Sequence, residues 1–109
     1  MAEIYKVLGQ LNPVAATLTT LYTVPASTST VVSTVTIGNR SATATSFRLS
    51  IAVAGAADNN IQYLFFDTPI AGNDTYVATI GATLATTDVV RAFATLATLS
   101  FNLFGTEIT

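Results

Sequence analysis

The sequence predicts an all-β fold, a single β-sandwich of seven or eight strands with jelly-roll or immunoglobulin-like topology. Residues 45–54 alternate strictly, and their large apolar side chains, Phe47, Leu49, Ile51 and Val53, share one face. This is the pattern of a strand that buries one side. Similar segments rich in valine and threonine recur about every ten residues, with turn residues between them, as in sandwiches. Because one strand cannot bury four large side chains alone, a second layer must cover it.

The first half of the chain contains four predicted strands. Residues 4–8 form a short mixed segment, and Asn12–Pro13 ends it because proline disfavours helix at the preceding residue. Residues 17–24 alternate again before a proline-containing turn. Residues 30–37 are rich in valine and threonine, and a loop of about seven residues joins them to residues 45–54. We expect these last two strands to form a hairpin.

The second half contains the remaining strands. Residues 61–66 are apolar on both faces, which indicates either a strand buried on both faces or one buried partly by a neighbouring subunit. Residues 75–82 alternate and follow a turn. Residues 89–94 and 99–104 are expected to close the domain as a hairpin. Residues 89–99 also fit a helix, because alanine and leucine are frequent there.

The length of 109 residues suits one domain. We divide the chain into residues 1–12, an N-terminal arm or edge strand, and residues 13–109, the β-sandwich domain. The N-terminus lacks the basic region and apolar block of a signal peptide, and no apolar run approaches the ~20 residues of a membrane helix. We therefore expect a soluble protein that does not associate with membranes and is made without a cleaved signal.

Charge is scarce in this sequence. Only 9% of the residues are charged, against about 25% in ordinary soluble domains. The four basic residues, Lys6, Arg40, Arg48 and Arg91, are scattered and the net charge is −2, so no basic stripe exists to bind nucleic acid. The mean hydropathy is +0.57. A surface of threonine, serine and alanine suits packing against other protein, although a β-rich domain that simply favours threonine in strands has the same composition.

No residue constellation points to catalysis. The chain has no histidine and no cysteine, so the commonest general base, thiol chemistry and disulfides are all missing. The carboxylates stand singly, mostly beside loops. Asp74 and Asp88 could meet at one end of a sandwich and bind calcium, but we favour solvated turn aspartates, because such turns prefer this residue. We expect no enzymatic activity, no cofactor and no metal.

Glycan binding is the main functional alternative, because β-sandwiches often bind sugars. It would require aromatic platforms on exposed loops, and the chain has no tryptophan. Its aromatic residues lie inside strand patterns, where core or subunit packing is the simpler interpretation.

Several ordered segments resemble the small β-sandwich virion proteins of tailed bacteriophages, especially those of aquatic and cyanobacterial hosts. The resemblance spans almost the whole chain and concerns structural segments, not a catalytic signature. It is carried by residues 5–13 (YKVLGQLNP), 21–26 (LYTVPA), 31–40 (VVSTVTIGNR), 47–51 (FRLSI) and 101–107 (FNLFGTE).

The resemblance implies a protein of the virion, assembled in the host cytoplasm. It would be a capsid decoration (cement) protein that bridges neighbouring capsid subunits, or a small tail, neck or fibre component. The implied partners are the major capsid protein or other virion proteins and further copies of the chain, with a trimer favoured. From the sequence we predict Tyr5, Leu8 and Leu11 as interface anchors in the arm, and Leu64 and Phe66 as a second interface patch.

Overall fold

The computed structural model describes residues 2–109; Met1, the first residue of the predicted arm, lies outside the described residues. These residues form eight strands and two short 3-10 turns, at Val53–Gly55 and Asn60–Gln62. None of the described helical segments is long and apolar enough to cross a membrane. The strands are β1 (Glu3–Leu11), β2 (Thr19–Thr23), β3 (Ser29–Asn39), β4 (Thr45–Ala52), β5 (Tyr63–Ile70), β6 (Thr75–Leu84), β7 (Val89–Ala94) and β8 (Leu99–Ile108).

The strands form two four-stranded antiparallel sheets. The first has the order β1-β8-β3-β6 and the second has the order β2-β7-β4-β5. Residues from the inner faces of both sheets make one continuous hydrophobic core. The predicted all-β sandwich is therefore confirmed.

Phe47 lies at the centre of this core. Its side chain is fully buried, and its ring centroid lies 5.2 Å from Tyr76, 5.9 Å from Phe65 and 6.1 Å from Phe101. The contacts with Tyr76 and Phe101 are edge-on, the geometry that aromatic pairs prefer. Because Tyr76 and Phe101 belong to the first sheet, Phe47 joins the two layers.

Both predicted hairpins are wrong. β3 lies in the first sheet and the following β4 lies in the second, and the same holds for β8 and the preceding β7. Each connection therefore crosses from one sheet to the other. Alternation along a strand shows which face is buried, but it does not show which strand is the hydrogen-bonded neighbour.

Two strand boundaries also differ from the predictions. β4 ends at Ala52, so Val53 begins a 3-10 turn and is exposed. The alternation had predicted that Val53 shares the buried face of Phe47. Ile61 likewise belongs to a 3-10 turn, and β5 begins two residues later. The segment that also fitted a helix forms β7 and a turn. There the tertiary pairing of β7 with its neighbours outweighs the helix propensity of alanine and leucine.

β1 is an edge strand that bulges at Leu8. Its register with β8 shifts between Val7 and Gly9, and the Leu8 side chain enters the core, where it is 9% exposed. Gly105 makes room for it, because a side chain at Gly105 would collide with the Val31 carbonyl oxygen and press on Leu8. The Leu8 side chain thus anchors β1 to the core.

Candidate interaction surfaces

The outer face of the first sheet carries three consecutive cross-strand rungs with no charged side chain. We call these residues the neutral face. Burial alternates along the strands, which identifies the outward positions. In the order β1, β8, β3, β6, the rungs are Tyr5, Thr106, Val31, Thr83; Val7, Phe104, Thr34, Thr79; and Gln10, Asn102, Thr36, Val77.

The neutral face is both apolar and accessible. Tyr5 is 78% exposed and Val77 is 62% exposed, at opposite edges of the sheet. Threonine is the commonest residue between them. Its methyl group is apolar, and its β-branched side chain has few χ1 rotamers to lose on binding. Such a surface can be covered by another protein at small cost in side-chain entropy.

The outer face of the second sheet differs, because a loop lies over part of it. The connection between β4 and β5 folds back onto β7, where Arg91 donates hydrogen bonds to the carbonyl oxygens of Gly55 and Ala56 at 3.2 and 2.9 Å. Asp88 holds the other side of this loop by accepting from the Ala54 amide at 2.9 Å. This part of the face is therefore already covered.

Beside that loop, Arg48 lies between two aromatic rings. Its guanidinium carbon is 4.0 Å from the ring centroid of Phe66 and 4.4 Å from that of Phe93. Arg48 Nε and Nη2 donate to the two carboxylate oxygens of Asp67 at 2.6 and 3.2 Å. These hydrogen bonds lower the pKa of Asp67 and raise the pKa of Arg48. Because the pair is solvated, it contributes little to the free energy of folding. Its main effect is to fix the positions of the side chains on this face.

A shallow hollow of about 350 Å³ adjoins this cluster and is lined by Asn60, Tyr63 and Phe66. The Tyr63 and Phe66 rings meet edge-on at 5.1 Å, and the Tyr63 hydroxyl donates to Asp58 at 2.8 Å. The hollow therefore offers aromatic surface together with the side-chain amide of Asn60. That combination suits a small polar ligand.

A buried polar network ties the edge strand β1 to the interior. Glu107 accepts from the Tyr22 hydroxyl at 2.6 Å and from Lys6 Nζ at 3.1 Å, and Tyr22 also bonds to Thr30 at 2.8 Å. These residues join β1, β2, β3 and β8. The hydrogen bond from Tyr22 lowers the pKa of Glu107, whereas burial, followed by that hydrogen bond, raises the pKa of Tyr22 to about 12.

The network makes stability depend on pH at both extremes. Since the pKa of Glu107 is lower in the folded state, its contribution is present above its ordinary pKa of 4.5 and is lost as the pH falls through the folded value. Since the pKa of Tyr22 is higher in the folded state, its contribution is present below its ordinary pKa of 10.0 and is lost as the pH rises through about 12. We expect urea unfolding to show both losses.

Tyr22→Phe should remove the phenolic part of this dependence. We expect it to lower the free energy of unfolding at pH 7 by about 1–3 kcal/mol, because Glu107 loses a buried donor. Tyr5→Phe is the matched control, since the Tyr5 hydroxyl is exposed and has only a 3.4 Å contact with Glu3; its effect should stay within about 0.5 kcal/mol. Equal effects of the two variants would contradict this role of Glu107.

The five predicted interface residues occupy three different environments. Tyr5 lies on the neutral face. Leu8 belongs to the core, and Leu11 packs partly against it, so both contribute to holding β1. Leu64 and Phe66 are exposed on the opposite sheet, and Phe66 lies beside Arg48. The structure thus does not bring the two predicted patches together.

Sequence reasoning did not identify the other members of the neutral face. Val7, Val31, Val77 and Phe104 come from four separate strands, and only the register places them on neighbouring rungs. The near absence of charge in these strands predicted a contact with another protein. It did not show which residues form the contact surface.

The paired aspartates considered for calcium are not close. Asp74 and Asp88 lie beyond opposite ends of β6, which are about 30 Å apart at the rise of an extended strand. Among residues 2–109, no group of three or more acidic, histidine or cysteine side chains could hold a metal ion.

Comparisons with protein-family models, with curated proteins and with solved structures found no match for this chain.

Proposed function

We propose that the protein is a non-enzymatic structural component of a bacteriophage virion. Its role would be that of a capsid decoration (cement) protein, which binds the major capsid protein and bridges neighbouring capsid subunits. The neutral face carries this proposal, because three uncharged rungs cross all four strands of one sheet. A tail, neck or fibre position would use the same surface against a different virion protein.

The size of the neutral face supports a protein partner. Its three rungs span about six residues on each of four strands spaced about 4.8 Å apart, which is roughly 400 Å². A stable interface buries about 800 Å² on each partner, so the neutral face supplies about half of one side of such an interface. The side chains at its centre, Thr34, Thr36 and Phe104, need no charged partner. Affinity would then depend on shape and on apolar anchors such as Val77 and Tyr5.

We further propose that the sandwich is a jelly roll and not an immunoglobulin-like fold. The strand pairs β1–β8, β2–β7, β3–β6 and β4–β5 alternate between the two sheets, as in a long antiparallel ribbon that has been rolled up. Eight-stranded double-sheet jelly rolls occur in viral capsid and lectin domains. The fold is compatible with the proposed role, but it does not by itself specify a function.

Capsid melting tests the cement role. A protein that binds the assembled shell more tightly than free subunits stabilises the shell by mass action. We therefore expect empty capsids of the phage that encodes the chain to melt at a higher temperature after saturation with the protein. An unchanged melting temperature at saturating concentration would contradict a cement role.

Glycan binding is the second candidate, and the hollow beside Tyr63 and Phe66 is the observation that favours it. Titration of ¹⁵N-labelled protein with neutral and acidic oligosaccharides tests this candidate directly. Saturable changes in the amide chemical shifts of Asn60, Tyr63 and Phe66 that disappear in Tyr63→Ala would establish a receptor-binding module. Absence of shifts at millimolar sugar would exclude it.

A further inference from the structure

The outer edge of β1 carries backbone groups that pair with nothing in the described chain. Ala2 and Thr109 exchange two hydrogen bonds, at 3.0 and 2.9 Å. Hydrogen-bonded and non-hydrogen-bonded pairs alternate along an antiparallel ladder. The amides and carbonyls of Glu3, Tyr5 and Val7, opposite Ile108, Thr106 and Phe104, therefore point away from β8 toward the open edge.

The other three edge strands are protected in ways that β1 is not. β5 contains Pro69 and a left-handed residue, Asp67, with a φ of 50°. β6 is interrupted by Gly81, with a φ of 59°, and β2 has only five residues with a register shift between Thr20 and Tyr22. Proline, bulges and short length are the devices that keep edge strands from pairing. β1 has five regular residues, Glu3–Val7, before its bulge.

Three of the five side chains along this edge, those of Ile4, Tyr5 and Val7, are apolar and at least 46% exposed. Ile4 is 50% exposed even though its position alternates with Tyr5 and places it on the inner side of the sheet. The one lysine of the segment, Lys6, is bonded to Glu107. An edge lysine ordinarily discourages strand pairing by keeping its charge in solvent. The charge of Lys6 is instead paired with the carboxylate of Glu107.

We propose that β1 pairs with β1 of a second copy of this chain, antiparallel about a twofold axis at Tyr5. In that register Tyr5 faces Tyr5 of the other copy, and Glu3 faces Val7. Every open backbone group then finds a partner, which adds about six hydrogen bonds. The two first sheets become one continuous eight-stranded sheet.

Other registers satisfy fewer groups. Centring the axis on Lys6 places two lysines directly opposite, which is unfavourable. Centring it on Val7 places Tyr5 of the second strand opposite Gly9, beyond the bulge that interrupts the regular strand between Val7 and Gly9. Centring it on Ile4 leaves Val7 without a partner among the described residues. The axis at Tyr5 avoids all three problems.

The pairing adds a detail to the proposed function. The pairing itself does not depend on that function, whereas its role in bridging capsid subunits rests on it. Two neutral faces in one continuous sheet give a bivalent surface, and a bivalent surface can bridge two capsid subunits with greater avidity than one copy. The twofold dimer replaces the trimer that the virion resemblance implies.

The mass in solution tests the pairing independently of any capsid. Sedimentation equilibrium at about 100 μM should give twice the 11.3 kDa chain mass. Tyr5→Pro should be monomeric, because it removes an amide that points to the open edge and not to β8. Tyr5→Thr keeps that amide and should remain dimeric. A monomeric or trimeric wild type, a dimeric Tyr5→Pro, or monomers for both variants would overturn the proposal.

Cross-linking tests the register even if Tyr5→Pro fails to fold. The chain has no cysteine, so Tyr5→Cys introduces a single thiol. Facing residues of a hydrogen-bonded pair have Cα atoms about 5.5 Å apart, within the disulfide range of about 4.4–6.8 Å. Mild oxidation should link Tyr5→Cys quantitatively and leave Val77→Cys, at the opposite edge, unlinked. Linkage at Val77 alone, or at neither position, would overturn the pairing.

The two proposals can fail separately. A monomer that still stabilises capsids would contradict the β1 pairing and leave the virion role intact. A Tyr5-centred dimer that ignores capsids would contradict the virion role and leave the pairing intact.

Discussion

Replacing Phe47 by alanine is expected to lower the free energy of unfolding by about 3–5 kcal/mol. Its side chain is fully buried and joins the two sheets through Tyr76 and Phe101. Removal of a buried ring costs the transfer free energy together with the energy of the cavity left behind. Since domains of this size are stable by only about 5–15 kcal/mol, the variant should be largely unfolded at moderate urea concentration.

Phe66→Ala is the matched control for that measurement. The Phe66 ring is half-exposed and contacts Arg48 and Tyr63 at the surface. An exposed cation–π contact contributes about 0.5–1 kcal/mol, so we expect a loss of about that size. If urea unfolding gave equal losses for Phe66→Ala and Phe47→Ala, the assignment of Phe47 as the link between the layers would be wrong.

Introducing a lysine on one of the two central strands of the neutral face should greatly weaken capsid binding. Thr36 lies on β3, one of the two central strands of the first sheet, between Asn102 and Val77. A Thr36→Lys side chain reaches solvent in the free protein, so folding should be preserved. In the complex it would be an unpaired charge in an interface, which costs several kcal/mol. We expect the dissociation constant to rise at least about 100-fold, equivalent to about 2.7 kcal/mol.

Leu64→Lys is the control, because it adds the same charge to the opposite sheet. Binding of fluorescently labelled protein to empty capsids, measured by co-sedimentation, compares the two variants. We expect Leu64→Lys to bind like the wild type. The reverse result would move the interface to the predicted patch of Leu64 and Phe66 and leave the neutral face without a role.

The class of fold could be predicted because alternation is a local property of the chain. Phe47 and Leu49 are buried as their spacing indicates, and eight strands are present. Strand partners could not be predicted, because they depend on contacts between distant segments. Asn39, for example, ends a strand whose neighbours are β6 and β8 and not the β4 that follows it.

The candidate surface was harder to predict for the same reason. Tyr5 was identified because the first segment has little regular alternation, and it does lie on the neutral face. Leu8 was predicted as an anchor with Tyr5, but it alternates with the outward Tyr5 and Val7, and its side chain lies in the core. The bulge between Val7 and Gly9 adds one residue to the strand, which turns Leu11 toward the core as well. The sequence contains no clear signal of this bulge apart from Gly9.

Co-sedimentation of the wild-type protein with assembled empty capsids and with unassembled capsid subunits tests the central claim most directly. The proposed role predicts saturable binding to the assembled shell and much weaker binding to free subunits, because a bridge needs two neighbouring subunits in place. Protein that remains in the supernatant at every capsid concentration would contradict a cement role.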